Sequence, residues 1–294
     1  MSQLQRFLSA LTLSAAVLLG AQSLGSTANA TPDAGGGDRD TSTLELSVSP
    51  APGINQICPI TFQENVDRIL NQPTFAGAQW GVLIEPIAEE IPLFQRNPEN
   101  YFIPASNMKL LTTSAALQVL DYRNQSISAQ LVARLQVINR DSNNAYADAL
   151  LNQIGGADVV RAALAPMGVD PNSYRVADGS GLSRSNMAKP STFVDLLRAM
   201  RSDEEGDLFY SSLAIAGVNG TLRNRFRDTA AQYRLHGKTG TLRGVRALSG
   251  YLQHADYGEV VFSILINQPS QSGEVMLRAI DQIVLEMTRL TPCE

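Results

Sequence analysis

Ser106 and Lys109 stand three residues apart in the segment Pro104-Ala105-Ser106-Asn107-Met108-Lys109. A serine hydroxyl is a poor nucleophile at neutral pH and needs an adjacent base. On a helix, residues i and i+3 share a face, so a helical segment here would bring the Lys109 amine to the Ser106 hydroxyl. An amine that is desolvated and close to a second cation has a lowered pKa and can act as that base. Backbone N–H groups at the start of such a helix would also face a reacting carbonyl. The chemistry this pairing suits is acyl transfer through a covalent serine intermediate. Alone it is a weak signal, because a Ser-x-x-Lys arises about once by chance in a chain of this length at average composition. The competing reading is a helix N-cap followed by an exposed lysine. The pattern occurs only once in this chain.

Two further groups strengthen it. Ser142-Asn143-Asn144 holds the only Ser-x-Asn of the chain. Its Ser142 hydroxyl and Asn144 amide can relay a proton and hold a substrate amide. Judged alone, an N-cap for the apolar helical run that follows is the better reading of Ser142, and the two roles are compatible. Lys238-Thr239-Gly240 ends a strand-like run. There a lysine can hold a carboxylate, a threonine adds a hydrogen bond, and a glycine lets a substrate backbone approach. A given tripeptide is expected on the order of 0.05 times in such a chain. A plain turn explains the Gly240 but not the Lys-Thr. The chain has three lysines among 23 basic residues, and two of them fall in these groups. Arginine serves for permanent charge, whereas lysine is needed where an amine must lose and regain a proton. Lys189, beside Pro190, has no such place.

The elements that must position these residues follow from periodicity. Helical spacing runs over 59–70, 106–120, 127–138, 144–154, 157–165, 192–200 and 273–290. Strands are expected over 80–84, at Leu93-Phe94, and over 233–238, 245–253 and 260–267, the last two joined by Asp256-Tyr257-Gly258. Strands at both ends and helices between them give an α/β (α+β) fold. One antiparallel sheet is made from both ends of the chain and flanked by helices, and an inserted helical subdomain leaves a cleft at the junction. The folded part is expected over 58–294, with 58–105 and 201–294 in the sheet subdomain and 106–200 in the helical one.

Composition limits the classes. The chain has 294 residues, 44% of them apolar and 17% charged, enough for a large core. A net charge of −5 gives no electrostatic reason to expect nucleic acid as partner. Residues 1–30 read as a secretory signal: Arg6, an apolar run over 7–20, and the small-x-small site Ala28-Asn29-Ala30. The rival reading is a membrane anchor, for which the run is short against the roughly 20 residues a span needs. Residues 31–57, with Gly35-Gly36-Gly37 and scattered prolines, read as a linker. No stable membrane span is expected after cleavage. Export would place the two cysteines in an oxidising compartment. Cys58 precedes the first helix and Cys293 follows the last, so a disulfide joining the chain ends is preferred over two free thiols. With two histidines, two cysteines and no HExxH, neither a catalytic metal nor another cofactor is expected.

In this order the three groups match the Ser-x-x-Lys, Ser-x-Asn, Lys-Thr-Gly set of penicillin-binding proteins and serine β-lactamases. From about Trp80 to Asn267 the chain resembles the D-alanyl-D-alanine carboxypeptidase/endopeptidases of the low-molecular-mass class C penicillin-binding proteins, the S13 peptidases. The resemblance includes Asp178-Gly179-Ser180-Gly181-Leu182-Ser183-Arg184, Gly220-Thr221-Leu222, and Gly240-Thr241-Leu242 through Ser249-Gly250-Tyr251. It departs in one respect. Members usually carry large extra domains between the first two motifs, whereas only 32 residues separate Lys109 from Ser142. The insertion point would fall at 123–128.

The resemblance implies the serine β-lactamase/penicillin-binding transpeptidase-like fold and a periplasmic or extracytoplasmic location. It implies that Ser106 attacks the penultimate D-alanine carbonyl while Lys109 takes its proton. Ser142 and Asn144 would line the opposite wall, and Lys238 and Thr239 would bind the terminal carboxylate. The N–H groups of Ser106 and Thr241 would form the oxyanion hole. The implied partners are peptidoglycan stem peptides and β-lactam antibiotics, the latter acylating Ser106 with slow release. The alternatives are a serine β-lactamase, which needs a water-activating base not identifiable here, and a non-catalytic wall-peptide or β-lactam binding protein.

Overall fold

The computed structural model describes residues 56–121 and 129–293. The expected signal segment, nearly all of the 31–57 linker and the insertion point at 123–128 lie outside the described residues. The sheet is built from β1 (Gln79–Pro86), β2 (Phe94–Arg96), β5 (Ala214–Ile215), β6 (Leu235–Leu242), β7 (Val245–His254) and β8 (Gly258–Asn267), in the order β2-β1-β8-β7-β6-β5. Every neighbouring pair is antiparallel. Both ends of the chain contribute, as the strand pattern predicts. The strands read as near-continuous apolar runs because both faces of the sheet are covered.

The two covers differ. On one face Val82, Ile84, Phe262, Ile264 and Leu248 meet α1 (Pro59–Leu70) and α8 (Gly273–Met287) through Phe62, Val66, Ile280 and Ile283. On the other, Leu83, Ala247, Tyr251, Val261 and Leu265 join a core shared with α2 (Met108–Asp121), α4 (Asn144–Ile154), α5 (Ala157–Leu164) and α6 (Pro190–Ser202). Alternate residues of one strand thus serve opposite cores. α6, within the segment expected to be helical subdomain, lies directly on β1, β7 and β8. α3 (Ala129–Asn139) and the short α7 (Gly206–Ser211) complete the helical side, with β3 (Tyr174–Arg175) and β4 (Met187–Ala188) as a separate ribbon. Among the described residues no helix is long and apolar enough to cross a membrane.

α2 is the central helix. Met108, Leu110, Leu111, Ala115, Ala116 and Leu117 are buried, and so are its polar residues Lys109, Thr112, Thr113 and Ser114. A helix covered all round shows little amphipathic pattern. Two of its buried hydroxyls are satisfied by carbonyls: Thr113 donates to the Lys109 carbonyl (2.7 Å) and Thr112 to the Gly179 carbonyl (3.1 Å), while Ser114 Oγ has no partner among the described residues.

Three sequence expectations are corrected. The helix expected from Ser106 begins at Met108, and Ser106 itself sits in a 3₁₀ turn, Ala105–Asn107. The strand expected over 233–238 runs over Leu235–Leu242, because its ladder to β7 continues past the glycine to the tight turn at Gly244. The expected disulfide is not formed. A bridge between Ile57 and Leu290 brings the chain ends together, with Ile57 N–H donating to the Arg289 carbonyl (2.9 Å). Cys58 and Cys293 are free thiols there, with a side-chain hydrogen bond between them. The contact with Cys293 lowers the Cys58 pKa.

Candidate active site

Ser106 lies between the sheet and the helical core. The residue before it, Ala105, has φ 49°, in the left-handed region that a side chain rarely adopts. Two glycines hold this turn in place. A Cβ on Gly181 would stand 1.8 Å from the Ala105 carbonyl oxygen, and one on Gly240 would stand 2.7 Å from the Pro104 oxygen. The missing Gly240 side chain leaves room for the turn that carries Ser106. Asn107 anchors the turn from below, donating to Ser249 Oγ (2.6 Å), which donates to Ser263 Oγ (2.9 Å).

Lys109 is fully buried, and its Nζ bonds Ser106 Oγ (2.8 Å), Asn144 Oδ1 (2.8 Å) and the Ser180 carbonyl (2.5 Å). The i to i+3 contact expected from sequence is present although the turn is 3₁₀. Burial pushes the Lys109 pKa down to about 8, against the opposing pull of the Asp148 and Asp178 charges. A neutral amine keeps two N–H groups for the Asn144 and Ser180 oxygens and turns its lone pair to the serine hydroxyl.

Ser142 and Asn144 face the same cleft from the entry to α4. The N-cap role falls to Asn143, whose Oδ1 accepts from Tyr146 N–H (3.0 Å). Ser142, with φ 61°, is turned out of the cap, and its hydroxyl accepts from Lys238 Nζ (2.9 Å). Lys238 is fully buried and also donates to the Thr239 carbonyl (2.9 Å). Burial, and then the charge on Lys109, drives its pKa well below the ordinary lysine value. Thr239 Oγ1 donates to Thr221 Oγ1 (2.8 Å). The loop carrying Thr221 is seated by its N–H on the Arg140 carbonyl (3.0 Å).

β5 pairs with β6 only at His236 and Gly237. Beyond that point the outer edge of β6, from Thr239 to Leu242, has no strand partner among the described residues, and Thr241 is exposed on it. Ser106 and Thr241 therefore lie on two packed elements, the 3₁₀ turn and β6.

Sequence reasoning singled out the 178–184 segment as part of the resemblance but gave it no role; it holds the Ser180 carbonyl on Lys109. Asp178 accepts from Gly181 N–H (2.6 Å), Ser183 N–H (2.6 Å) and Asn186 Nδ2 (2.9 Å). Burial raises the Asp178 pKa, yet these bonds outweigh it and hold the carboxyl below its ordinary value. Asp148 accepts from Ser180 N–H (2.8 Å). A signal for Asp148 was present: it follows Asn144 by four on α4, which places both on one face. Lys189, given no role, pairs with Glu99 (3.0 Å) and lies 5.5 Å from the Tyr101 ring centre.

Comparison with known proteins gives the family and the fold. The sequence model of the D-Ala-D-Ala carboxypeptidase 3 (S13) family matches residues 62–134 and 123–290. A D-alanyl-D-alanine carboxypeptidase of Actinomadura sp. (strain R39) is 39% identical over 176 residues, covering 54% of this chain and 32% of that protein. Penicillin-sensitive carboxypeptidase A of Dictyostelium discoideum is 29% identical over 191 residues, covering 58% and 36%. The chain thus spans about a third of the length of these curated relatives. Penicillin-binding protein 4 (dacB) from Haemophilus influenzae superposes with a TM-score of 0.66 at 14% identity, covering 76% of this chain and 99% of that one. The TLA-3 extended-spectrum β-lactamase superposes at 0.65 with 15% identity, covering 78% and 98%. The fold is that of the penicillin-binding proteins and serine β-lactamases. By the extent of the family match, the chain belongs to the D-Ala-D-Ala carboxypeptidase 3 (S13) family.

Proposed function

We propose that this chain is an exported serine-type D-alanyl-D-alanine carboxypeptidase that cleaves peptidoglycan stem peptides through an acyl-enzyme on Ser106 and is acylated by β-lactams. One contact supports this above the others: the buried Lys109 amine, 2.8 Å from Ser106 Oγ, with a pKa lowered to about 8. At that pH half the molecules hold the amine neutral and able to accept the serine proton.

The substrate peptide lies along the open edge of β6 as an added strand. Asn144 spends its Oδ1 on Lys109, leaving its Nδ2 to hold a substrate carbonyl. Ser106 Oγ bonds to the carbonyl carbon of the penultimate D-alanine while its proton passes to Lys109. The oxyanion is held by the N–H groups of Ser106 and Thr241. The C–N bond then breaks, and the Ser142 hydroxyl passes a proton to the leaving amine and takes one from Lys238, 2.9 Å away, whose loss is made good by the proton that Lys109 removed from Ser106. Water hydrolyses the ester and restores Ser106.

The test is D-alanine release from a diacyl-D-Ala-D-Ala peptide. Ser106→Ala should lower it by at least about 10³-fold, as for other single nucleophile deletions; turnover equal to wild type refutes the function. Mass spectrometry after penicillin exposure separates the alternatives. A lasting adduct on Ser106 fits the carboxypeptidase, rapid loss of adduct fits a β-lactamase, and no adduct fits a binding protein.

A further inference from the structure

Asp148 is a half-buried carboxylate on α4, and among the described residues no lysine or arginine forms a salt bridge with it. Its one hydrogen bond there comes from Ser180 N–H (2.8 Å). A charge drawn partly out of water is costly unless something compensates it.

The contact brings that charge to the base. The Ser180 carbonyl accepts from Lys109 Nζ (2.5 Å), so a single residue joins Asp148 to Lys109. Gly179 makes the approach possible. A Cβ there would stand 2.6 Å from the Ala147 carbonyl oxygen and 2.8 Å from Leu151 Cβ, so only glycine lets the 178–184 loop lie on α4. Asp148 stands one helical turn after Asn144. α4 therefore reaches Lys109 twice, directly through Asn144 Oδ1 (2.8 Å) and through Ser180 by way of Asp148. Asp178 is employed differently, since its oxygens accept from Gly181, Ser183 and Asn186 and shape the loop itself. The charged groups that act on Lys109 are Asp148 from α4, Asp178 from the loop and Lys238 from β6. Both carboxylates oppose the effect of burial on the amine, Asp148 the more strongly.

We propose that Asp148 is a positioning residue for acyl transfer: it fixes Ser180 so that the Ser180 carbonyl aims Lys109 Nζ at Ser106 Oγ, and it is the counter-charge of the amine that has taken the serine proton. The inference deepens the carboxypeptidase function above and rests on it. A buried ammonium forms beside a second buried lysine during acylation, and a fixed negative charge favours that state over the neutral one before it.

The experiment measures the rate constant for acylation of Ser106 by benzylpenicillin as a function of pH, in wild type, Asp148→Asn, Asp148→Ala and Asp148→Glu. Asp148→Asn keeps an oxygen for Ser180 N–H and removes the charge. Its midpoint should move to lower pH than that of wild type by about half a unit or more, with a plateau within about threefold of wild type. Asp148→Ala should show the same move and lower the plateau about tenfold or more, because Ser180 loses its acceptor. Asp148→Glu restores the charge and should return the midpoint toward the wild-type value. A midpoint unmoved in Asp148→Asn, or moved to higher pH, overturns the inference and leaves the Ser106 chemistry standing. Loss of all acylation in both Asp148→Asn and Asp148→Glu would make the residue a prop of the fold and also overturns it. A wild-type protein that penicillin does not acylate overturns the proposed function as well.

Discussion

Lys109→Met tests the electrostatic origin of the base in a way that activity alone does not. Burial holds the Lys109 pKa near 8, against an ordinary value of 10.5 that applies to the unfolded chain. A group whose folded pKa is lowered, and which is a cation when protonated, penalises the folded state at every pH where the unfolded chain is charged. The unfolded chain binds more protons between pH 8 and 10.5, so stability rises with pH across that window. The shift of about 2.5 units corresponds to about 3 kcal/mol, fully present below pH 8 and gone above 10.5. Lys109→Met removes the penalty but leaves the Ser180 carbonyl and Asn144 Oδ1 without their donor, a loss of about 1–3 kcal/mol each. At pH 7 the variant should therefore lie within a few kcal/mol of wild type although it is inactive. The decisive reading is the slope: urea unfolding between pH 7 and 10.5 should give wild type an added stability of about 3 kcal/mol that the variant lacks. Parallel curves for the two proteins would refute the desolvated-amine account.

Other outcomes follow from the same geometry. The acylation rate by penicillin should rise about tenfold from pH 7 to 9 and then level, as the neutral fraction of Lys109 grows; a flat profile by stopped flow counts against Lys109 as base. Gly240→Ala places a methyl 2.7 Å from the Pro104 oxygen. It should cut acylation by about 10²-fold with unfolding still cooperative, and an unimpaired rate would mean that the Ser106 turn tolerates displacement. Oxidation of the purified protein should lower its mass by two hydrogens and protect Cys58 and Cys293 from alkylation, since the thiols already touch. Two alkylated thiols after oxidation would show that the chain ends part in solution.

Much of the sheet and the central site was legible because its signals are local. Apolar runs at 80–84, 245–253 and 260–267 and the spacing of Ser106 to Lys109 depend on near neighbours in the chain. Ser142 was ambiguous for a physical reason. Capping and catalysis want the same short hydroxyl, and only the positive φ of Ser142 separates its role from that of Asn143. The Asp178 network was not legible because its purpose, presenting a backbone carbonyl to Lys109, involves an atom that every residue has.

The turn that carries Ser106 has a consequence for when activity appears during folding. Ala105 holds a strained conformation only because Gly181 and Gly240 close on it from segments 76 and 135 residues downstream. Contacts of such long range form late, after their loop-closure entropy has been met. A chain that has collapsed but not yet seated β6 and the 178–184 loop therefore has its serine without the geometry to use it. Newly made protein is chemically silent until the last long-range contacts are in place, and labelling by a β-lactam then reports completion of the fold as much as the presence of a nucleophile.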